Sequence, residues 1–506
     1  MSSSKREAPE VQVGAGLVRG RLEDGLSVFR GIPFAEPPVG DLRFAAPVPA
    51  RPWDGVLDAA AFGPPPPQSQ AFGGPIRALP GDGWLTVNVW SPAQEPGALL
   101  PVMVWIYGGG YRAGDSADPV SDGALLAADG VVLVTFNHRV GAEGFGQIEG
   151  APANRGLLDQ LAALSWVQEN IGAFSGDASN VTVFGESAGA GSIAALLAMP
   201  RAAGLFRRAI LQSVPGTYLS RPLAADIMRV IAARAKRRPT RAELAGLSPA
   251  DLVTASDAVA GAMAAYAHRW GAVAHTPTPF SPVVDGEVLD QTPWQALRGG
   301  AARGVELIVG HNRDEFRLFV ALAGMIGKVT DAMAAQALDV FAPSPQAYRD
   351  AFPDASGERL FELVQSDWLF RLPSLKLAEA QVTGGGRVHM YELTWPAPGL
   401  GGVLGACHVL DVPLVFGNLT AGNRASLVMG EHAPPDATLV SQHFRSAWTA
   451  FARSGDPGWP AYDMARRQTA LFDASVTVGP YPEETSRLIW QSHEFQPLPL
   501  LGRAGE

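Results

Sequence analysis

Residues 181–189 read VTVFGESAG, and this stretch decides the fold. A β-branched apolar run stops at a GxSxG pentapeptide, then continues into Ala190, Gly191 and a Leu/Ala-rich helical segment. Strand, sharp turn and helix in that order make a nucleophile elbow with Ser187 at its apex. A serine hydroxyl is a weak nucleophile at neutral pH, so the fold must expose it where a base can reach it. Gly185 and Gly189 flank it because a side chain at either position would strike the neighbouring strand and helix. The helix that follows aims its first N–H groups at developing negative charge. A lone GxSxG string can also be a small-residue turn, but here the strand before it and the helix after it are both visible.

Working outward, residues 102–107 (VMVWIY) and 131–136 (VVLVTF) are short β-branched runs between Gly-rich or polar turns, the pattern of buried parallel strands. A helix is expected over 122–128 between them. Residues 157–171 (LLDQLAALSWVQENI) carry apolar positions at helical spacing and lead into the elbow strand. Further strands are expected at 208–212, 306–310 and 388–393. Repeated strand–helix–strand units imply an α/β fold, a mostly parallel sheet with helices on both faces. Ala-rich helical stretches near 223–270 and 319–380 dilute the second half and read as insertions over the sheet, forming a lid or pocket. Pro64 to Pro67 make a stiff stretch in a Gly/Pro-rich loop that ends near Trp84. No repeat or Ser/Gly linker divides the chain, so residues 1–506 read as one elaborated domain.

Composition narrows the function. With 506 residues, 47% hydrophobic and 17% charged, the chain has ample material for a large core. A net charge of −10 argues against nucleic acid as a partner. The basic cluster from Arg234 to Arg238 reads as a solvated helix face. Cys407 is the single cysteine, so no internal disulfide can form. The polar start MSSSKREAPEV lacks the apolar stretch of a secretory signal, and no run of 18 or more apolar residues suggests a membrane span. A cytoplasmic protein is the expectation.

The nucleophile needs an oxyanion hole. Gly108, Gly109 and Gly110 follow the 102–107 strand, and glycines let backbone N–H groups turn into a site unobstructed. The amides of Gly109, Gly110 and Ala188 are the candidate donors to a tetrahedral intermediate. Neither GxGxxG nor GK[ST] spacing is present, which argues against nucleotides. In an α/β-hydrolase the acid and then the histidine follow the serine. Nine histidines compete. His138 and His311 flank strand ends, and His268, His275, His432, His443 and His493 lie in helices or loops without a matching acid. His408, in the loop GACHVLDVPLVFGN, follows the 388–393 strand at a suitable distance. Glu315 stands in the turn after the 306–310 strand, with adjacent Asp314 as its rival.

These residues carry a family resemblance that runs nearly end to end. FRGIPFAEPPVGDLRFAAP at 29–47, LTVNVW at 85–90, PVMVWIYGGGYRAG at 101–114 and NHRVGAEGFG at 137–146 come in order. The segment from Asn154 to Ser192 is the fullest match, followed by SPVVDG at 281, GHNRDEF at 310, GACHVLDVPLVFGN at 405 and WTAFARSGDPGWPAYD at 448. The chain resembles the type-B carboxylesterases of bacteria (para-nitrobenzyl esterase-like), in the cholinesterase superfamily. The resemblance implies an α/β-hydrolase fold with Ser187 as nucleophile, Glu315 as triad acid and His408 as general base. It also implies Gly109, Gly110 and Ala188 as oxyanion donors, with Glu186 and Ser213 supporting the triad. The implied reaction is hydrolysis of small to medium apolar esters through an acyl-enzyme, with no metal or organic cofactor. The implied partner is a small-molecule ester, and a monomer is compatible with this chemistry. Two other readings are a hydrolase of carbamates, amides or one specialised large ester, and a non-catalytic interaction protein on the same fold.

The chain also departs from the family pattern. Asp82, Gly83 and Trp84 replace an acidic pair and a cysteine, removing a disulfide loop, and Asp82 is the expected partner of Arg43. Phe316 replaces the glycine after the triad acid and is expected to narrow the pocket or shift the turn. Tyr107 and His138 stand where histidine and tyrosine are common. Tyr111, Phe316, Phe319, Trp368 and Phe370 are candidates for the pocket wall, with core packing as the competing role.

Overall fold

The computed structural model describes residues 8–70, 81–92 and 97–502. Residues 1–7, where the polar start was read, and residues 71–80 of the Gly/Pro-rich loop lie outside the described residues. Eleven strands form the central sheet. They are β1 (Arg21–Glu23), β2 (Leu26–Pro33), β3 (Thr86–Ser91), β4 (Leu100–Ile106), β5 (Val132–Phe136), β6 (Gly176–Glu186), β7 (Arg208–Gln212), β8 (Glu306–Asn312), β9 (Val388–Leu393), β10 (Gln468–Phe472) and β11 (Val476–Pro480). In space they run β11-β10-β9-β8-β7-β6-β4-β5-β3-β2-β1. The strands from β10 through β5 are parallel, and antiparallel strands close both edges.

The apolar runs follow from burial on both faces. Val102, Val104 and Ile106 face one layer of core together with Val181, Val183, Leu157 and Ile193. Met103, Trp105 and Phe184 face the other, with Val440, Phe444 and Trp448 of helix Pro435–Ser454. Each such side chain contributes about 1.5–3 kcal/mol by leaving water. Helix Arg155–Asn170 covers the first layer and helix Ala188–Ala198 follows the elbow. The expected helix at 122–128 is Ala124–Ala128, with the Asp122 carboxylate accepting from the Ala124 amide at 3.0 Å.

The expected 208–212 and 388–393 strands match β7 and β9, while β8 runs two residues beyond 310. The second half carries helices Arg221–Arg234, Arg241–Ala245, Pro249–Ala260 and Ala267–Trp270, then a second group from Arg317 to Thr383. Helix Leu372–Thr383 of that group packs on β8 and β9 and so covers the sheet, not the pocket. Arg234 to Arg238 sits at and beyond the end of its helix, not along a helix face. Among the described residues no helix is long and apolar enough to cross a membrane.

Parallel strands all end at one edge of a sheet, where loops converge at a crossing of strand order. Gly108 follows β4, Ser187 follows β6, Ser213 follows β7, Glu315 follows β8 and His408 lies in the loop after β9. Five separate connections thus deliver their polar groups to one place.

Candidate active site

The elbow is strained. Ser187 sits at φ 54°, ψ −123°, a conformation a non-glycine residue adopts only when its surroundings hold it there. Its amide donates to the Gln212 carbonyl at 2.9 Å and its own carbonyl accepts from Gly191 at 2.9 Å. A Cβ on Gly185 would come within 2.6 Å of the Ile106 carbonyl oxygen, and one on Gly189 would fall on the same atom. These two glycines let β6 and its helix close against β4.

From the serine a chain of polar contacts runs inward. Ser187 Oγ lies 3.0 Å from His408 Nε2, and His408 Nδ1 lies 2.6 Å from Glu315 Oε2. The other Glu315 oxygen accepts from Ser213 Oγ at 2.5 Å and from the Asn312 amide at 2.8 Å. Glu315 is fully buried. An acceptor carboxylate at Nδ1 places the ring proton there and leaves the Nε2 lone pair for the serine hydroxyl. The sequence-expected Ser187, His408, Glu315 and Ser213 are therefore brought together.

The rivals point elsewhere. Asp314 pairs with Arg359 at 3.1 Å and accepts from the Ala406 amide at 3.1 Å. His311 lies 3.0 Å from the Tyr481 hydroxyl, and His389 bonds the Trp459 carbonyl at 2.9 Å. His138 stacks on Tyr107 at 4.4 Å, and the Tyr107 hydroxyl both donates to the His138 carbonyl and accepts from its amide, each at 3.1 Å. The two departures from the family pattern thus compensate each other.

The Arg43–Asp82 pair does not form. Arg43 is buried and bonds Glu143 Oε1 at 2.6 Å, with the Leu247 carbonyl as a further acceptor, whereas Asp82 is exposed. A buried guanidinium takes the carboxylate that is buried with it.

Across from the serine, Gly109 (φ 121°) and Gly110 (φ 61°) turn the loop after β4. A Cβ on Gly108 would come within 2.6 Å of Glu186 Oε2 and 3.1 Å of the Ser187 Cβ, so only glycine passes there. The Gly110 carbonyl is tied by Thr278 Oγ1 at 2.7 Å. The amides of Gly109, Gly110 and Ala188 donate no hydrogen bond to the protein among the described residues.

These groups open into a predominantly apolar pocket. Tyr111, Phe319 and Phe370 line it, as do Leu318, Leu369 and Val428. Phe370 stacks on the His408 ring at 4.1 Å between centroids and Phe319 lies at 5.4 Å. Phe316 does not narrow the pocket. It packs against Phe319 and Phe361 with its amide on Ser366 Oγ, and Trp368 packs on Phe341. The wall bearing Leu369 and Phe370 is a π-turn, Asp367–Arg371. Pro373 has no N–H to give the Leu369 carbonyl, which accepts from Gly216 at 2.8 Å instead. Sequence reading named Phe370 for the wall but missed Leu369 and the π-turn that carries both, although Pro373 within a helical pattern marks the irregularity.

Glu186 completes the site, its Oε1 3.1 Å from His408 Nε2. Burial pulls the His408 imidazole down, but the Glu186 and Glu315 carboxylates outweigh it and push the group up to about 9. Burial pushes Glu186 up to about 8, with the His408 charge opposing. Each shift depends on the other's charge, so the two titrate as a pair, and the direction for both is upward.

A doubly wound sheet with serine, carboxylate and histidine at its C-terminal edge defines an α/β-hydrolase. Residues 7–478 match the model of the carboxylesterase family. The chain is 37% identical over 489 residues to a para-nitrobenzyl esterase of Bacillus subtilis (strain 168), covering 93% of this chain and 96% of that one. It is 34% identical to a fumonisin B1 esterase of Sphingopyxis macrogoltabida, over 92% of this chain and 86% of that one. Among solved structures, a Geobacillus stearothermophilus carboxylesterase, EST55, superposes with a TM-score of 0.83 at 34% identity, over 95% of this chain and all of that one. The chain belongs to the carboxylesterase family and is a carboxylic ester hydrolase. That reading fits better than an amide or carbamate hydrolase or a non-catalytic interaction protein.

Proposed function

We propose that Ser187 is the nucleophile, His408 the general base and acid, and Glu315 the orienting carboxylate, acting on small to medium apolar esters. The observation that carries this reading is the unbroken series Ser213–Glu315–His408–Ser187, with steps of 2.5, 2.6 and 3.0 Å. His408 takes the Ser187 proton through Nε2 as Oγ attacks the ester carbonyl, and Glu315 holds the ring while it becomes imidazolium. The amides of Gly109, Gly110 and Ala188 receive the oxyanion, each worth about 10²–10³ in rate. His408 then protonates the leaving alcohol, and the same ring activates the water that frees the acid and restores Ser187.

Ser213 keeps Glu315 in place through its hydroxyl, and Glu186 supports the charged form of His408. The apolar lining favours apolar acyl and alcohol groups. One chain carries every group the reaction needs, so a monomer suffices. The test is Ser187→Ala. It is expected to abolish turnover of a short-chain aryl ester while the far-UV spectrum and melting temperature stay near wild type. A variant that turns over at the wild-type rate overturns the assignment.

A further inference from the structure

Arg424 is the one lysine or arginine among the described residues lining the pocket that holds Ser187 and His408. It stands on helix Gly422–Met429, whose Leu427 and Val428 form the same stretch of wall. Its ion-pair partner is Asp118, whose Oδ2 lies 3.5 Å from the Arg424 Nε, while Asp118 Oδ1 accepts from the Val120 amide at 3.2 Å. The terminal amino groups of the guanidinium donate no hydrogen bond to any described residue. With 26% of the side chain exposed, Arg424 lines the pocket while partly shielded from solvent. The charge reaches the base of the site, where it opposes the upward shift of Glu186.

A planar guanidinium with free terminal donors matches a carboxylate in geometry as well as charge. A net charge of −10 gives the molecule no general attraction for anions, so any such preference must come from a local cation. We propose that Arg424 is a specificity-determining residue that extends the range of this apolar pocket to esters with an apolar body whose acyl or alcohol end carries a carboxylate received by its fork. The proposal rests on the reading of Ser187 as the esterase nucleophile. The reaction is unchanged: water adds across the ester C–O bond, giving acid and alcohol, and the distant carboxylate is untouched.

The test uses the full chain and matched ester pairs, each rate corrected for its hydroxide-catalysed reactivity. For the acyl side, mono-4-nitrophenyl glutarate is compared with 4-nitrophenyl pentanoate. For the alcohol side, 4-butyryloxybenzoate is compared with phenyl butyrate. The readout is the anionic-to-neutral ratio of kcat/KM. In at least one pair Arg424→Gln is expected to lower this ratio about 10-fold, the equivalent of about 1.4 kcal/mol, chiefly through KM. Arg424→Lys should keep most of the ratio, and Asp118→Asn should raise it by freeing the guanidinium. The responding pair assigns the carboxylate to the acyl or the alcohol side. A ratio that stays within about twofold of wild type in both pairs for Arg424→Gln overturns the proposal. Loss of the nucleophile reading is distinguishable, because Ser187→Ala would then leave the neutral esters turning over.

Discussion

Replacing Glu315 with Gln separates the proposed orienting acid from its neighbour most sharply. One Glu315 oxygen accepts from both Ser213 Oγ at 2.5 Å and the Asn312 amide at 2.8 Å, so a glutamine would keep its carbonyl oxygen there. Its NH₂ group would then face His408 Nδ1, where a carboxylate oxygen now stands at 2.6 Å. Two donors cannot face each other, and the ring must move its proton to Nε2, the atom that has to accept from Ser187. The resulting tautomer cannot act as base, which corresponds to a loss of about 10⁴ in kcat, or about 5 kcal/mol in the barrier. Substrate binding is untouched, so KM should change little. Asp314→Asn is the control: it loses an ion pair to Arg359, whose side chain is 39% exposed, and kcat should stay within about threefold of wild type. Steady-state kinetics on 4-nitrophenyl butyrate, with melting curves for both variants, provides the comparison. Equal damage from the two substitutions, or a Glu315→Gln enzyme within about tenfold of wild type, would refute the tautomer argument.

The paired titration of Glu186 and His408 gives a signed pH prediction. An anionic Glu186 favours the imidazolium, so Glu186→Gln should lower the His408 pKa and move the acid limb of the kcat/KM profile to lower pH; an upward move would contradict the geometry. Gly189→Ala drives a Cβ onto the Ile106 carbonyl and should lower stability by about 1–3 kcal/mol or more and abolish turnover. Gly172→Ala meets nothing within 4 Å and should melt within about 0.5 kcal/mol of wild type, both read by chemical denaturation.

What the sequence made legible is what a single segment encodes. The elbow, the buried parallel strands and the order of serine, acid and histidine each leave a local pattern, and the structure brings Ser187, Glu315 and His408 within hydrogen-bond reach. Strands at and next to the sheet edges are different. β1, β10 and β11 are short or partly exposed, so they lack the continuous apolar run that marks β4 and β5. Pairings across long separations were also hidden: Arg43 is nearer in sequence to Asp82, yet it is buried beside Glu143, 100 residues away. Phe316 reads as an intrusion because it replaces a glycine, but its direction depends on Phe361 and Ser366 in a later helix. The π-turn and Arg424 belong to the same class, since a pocket wall is assembled from segments that carry no motif of their own.

The central claim is that Ser187 is the atom that attacks. Its most direct test is to treat the full chain with a fluorophosphonate and map the adduct by peptide mass spectrometry. A single adduct on Ser187, stoichiometric with loss of esterase activity and absent in Ser187→Ala, is the predicted result. Esterase activity inhibited with the adduct on another residue, or surviving with Ser187 fully labelled, would contradict it.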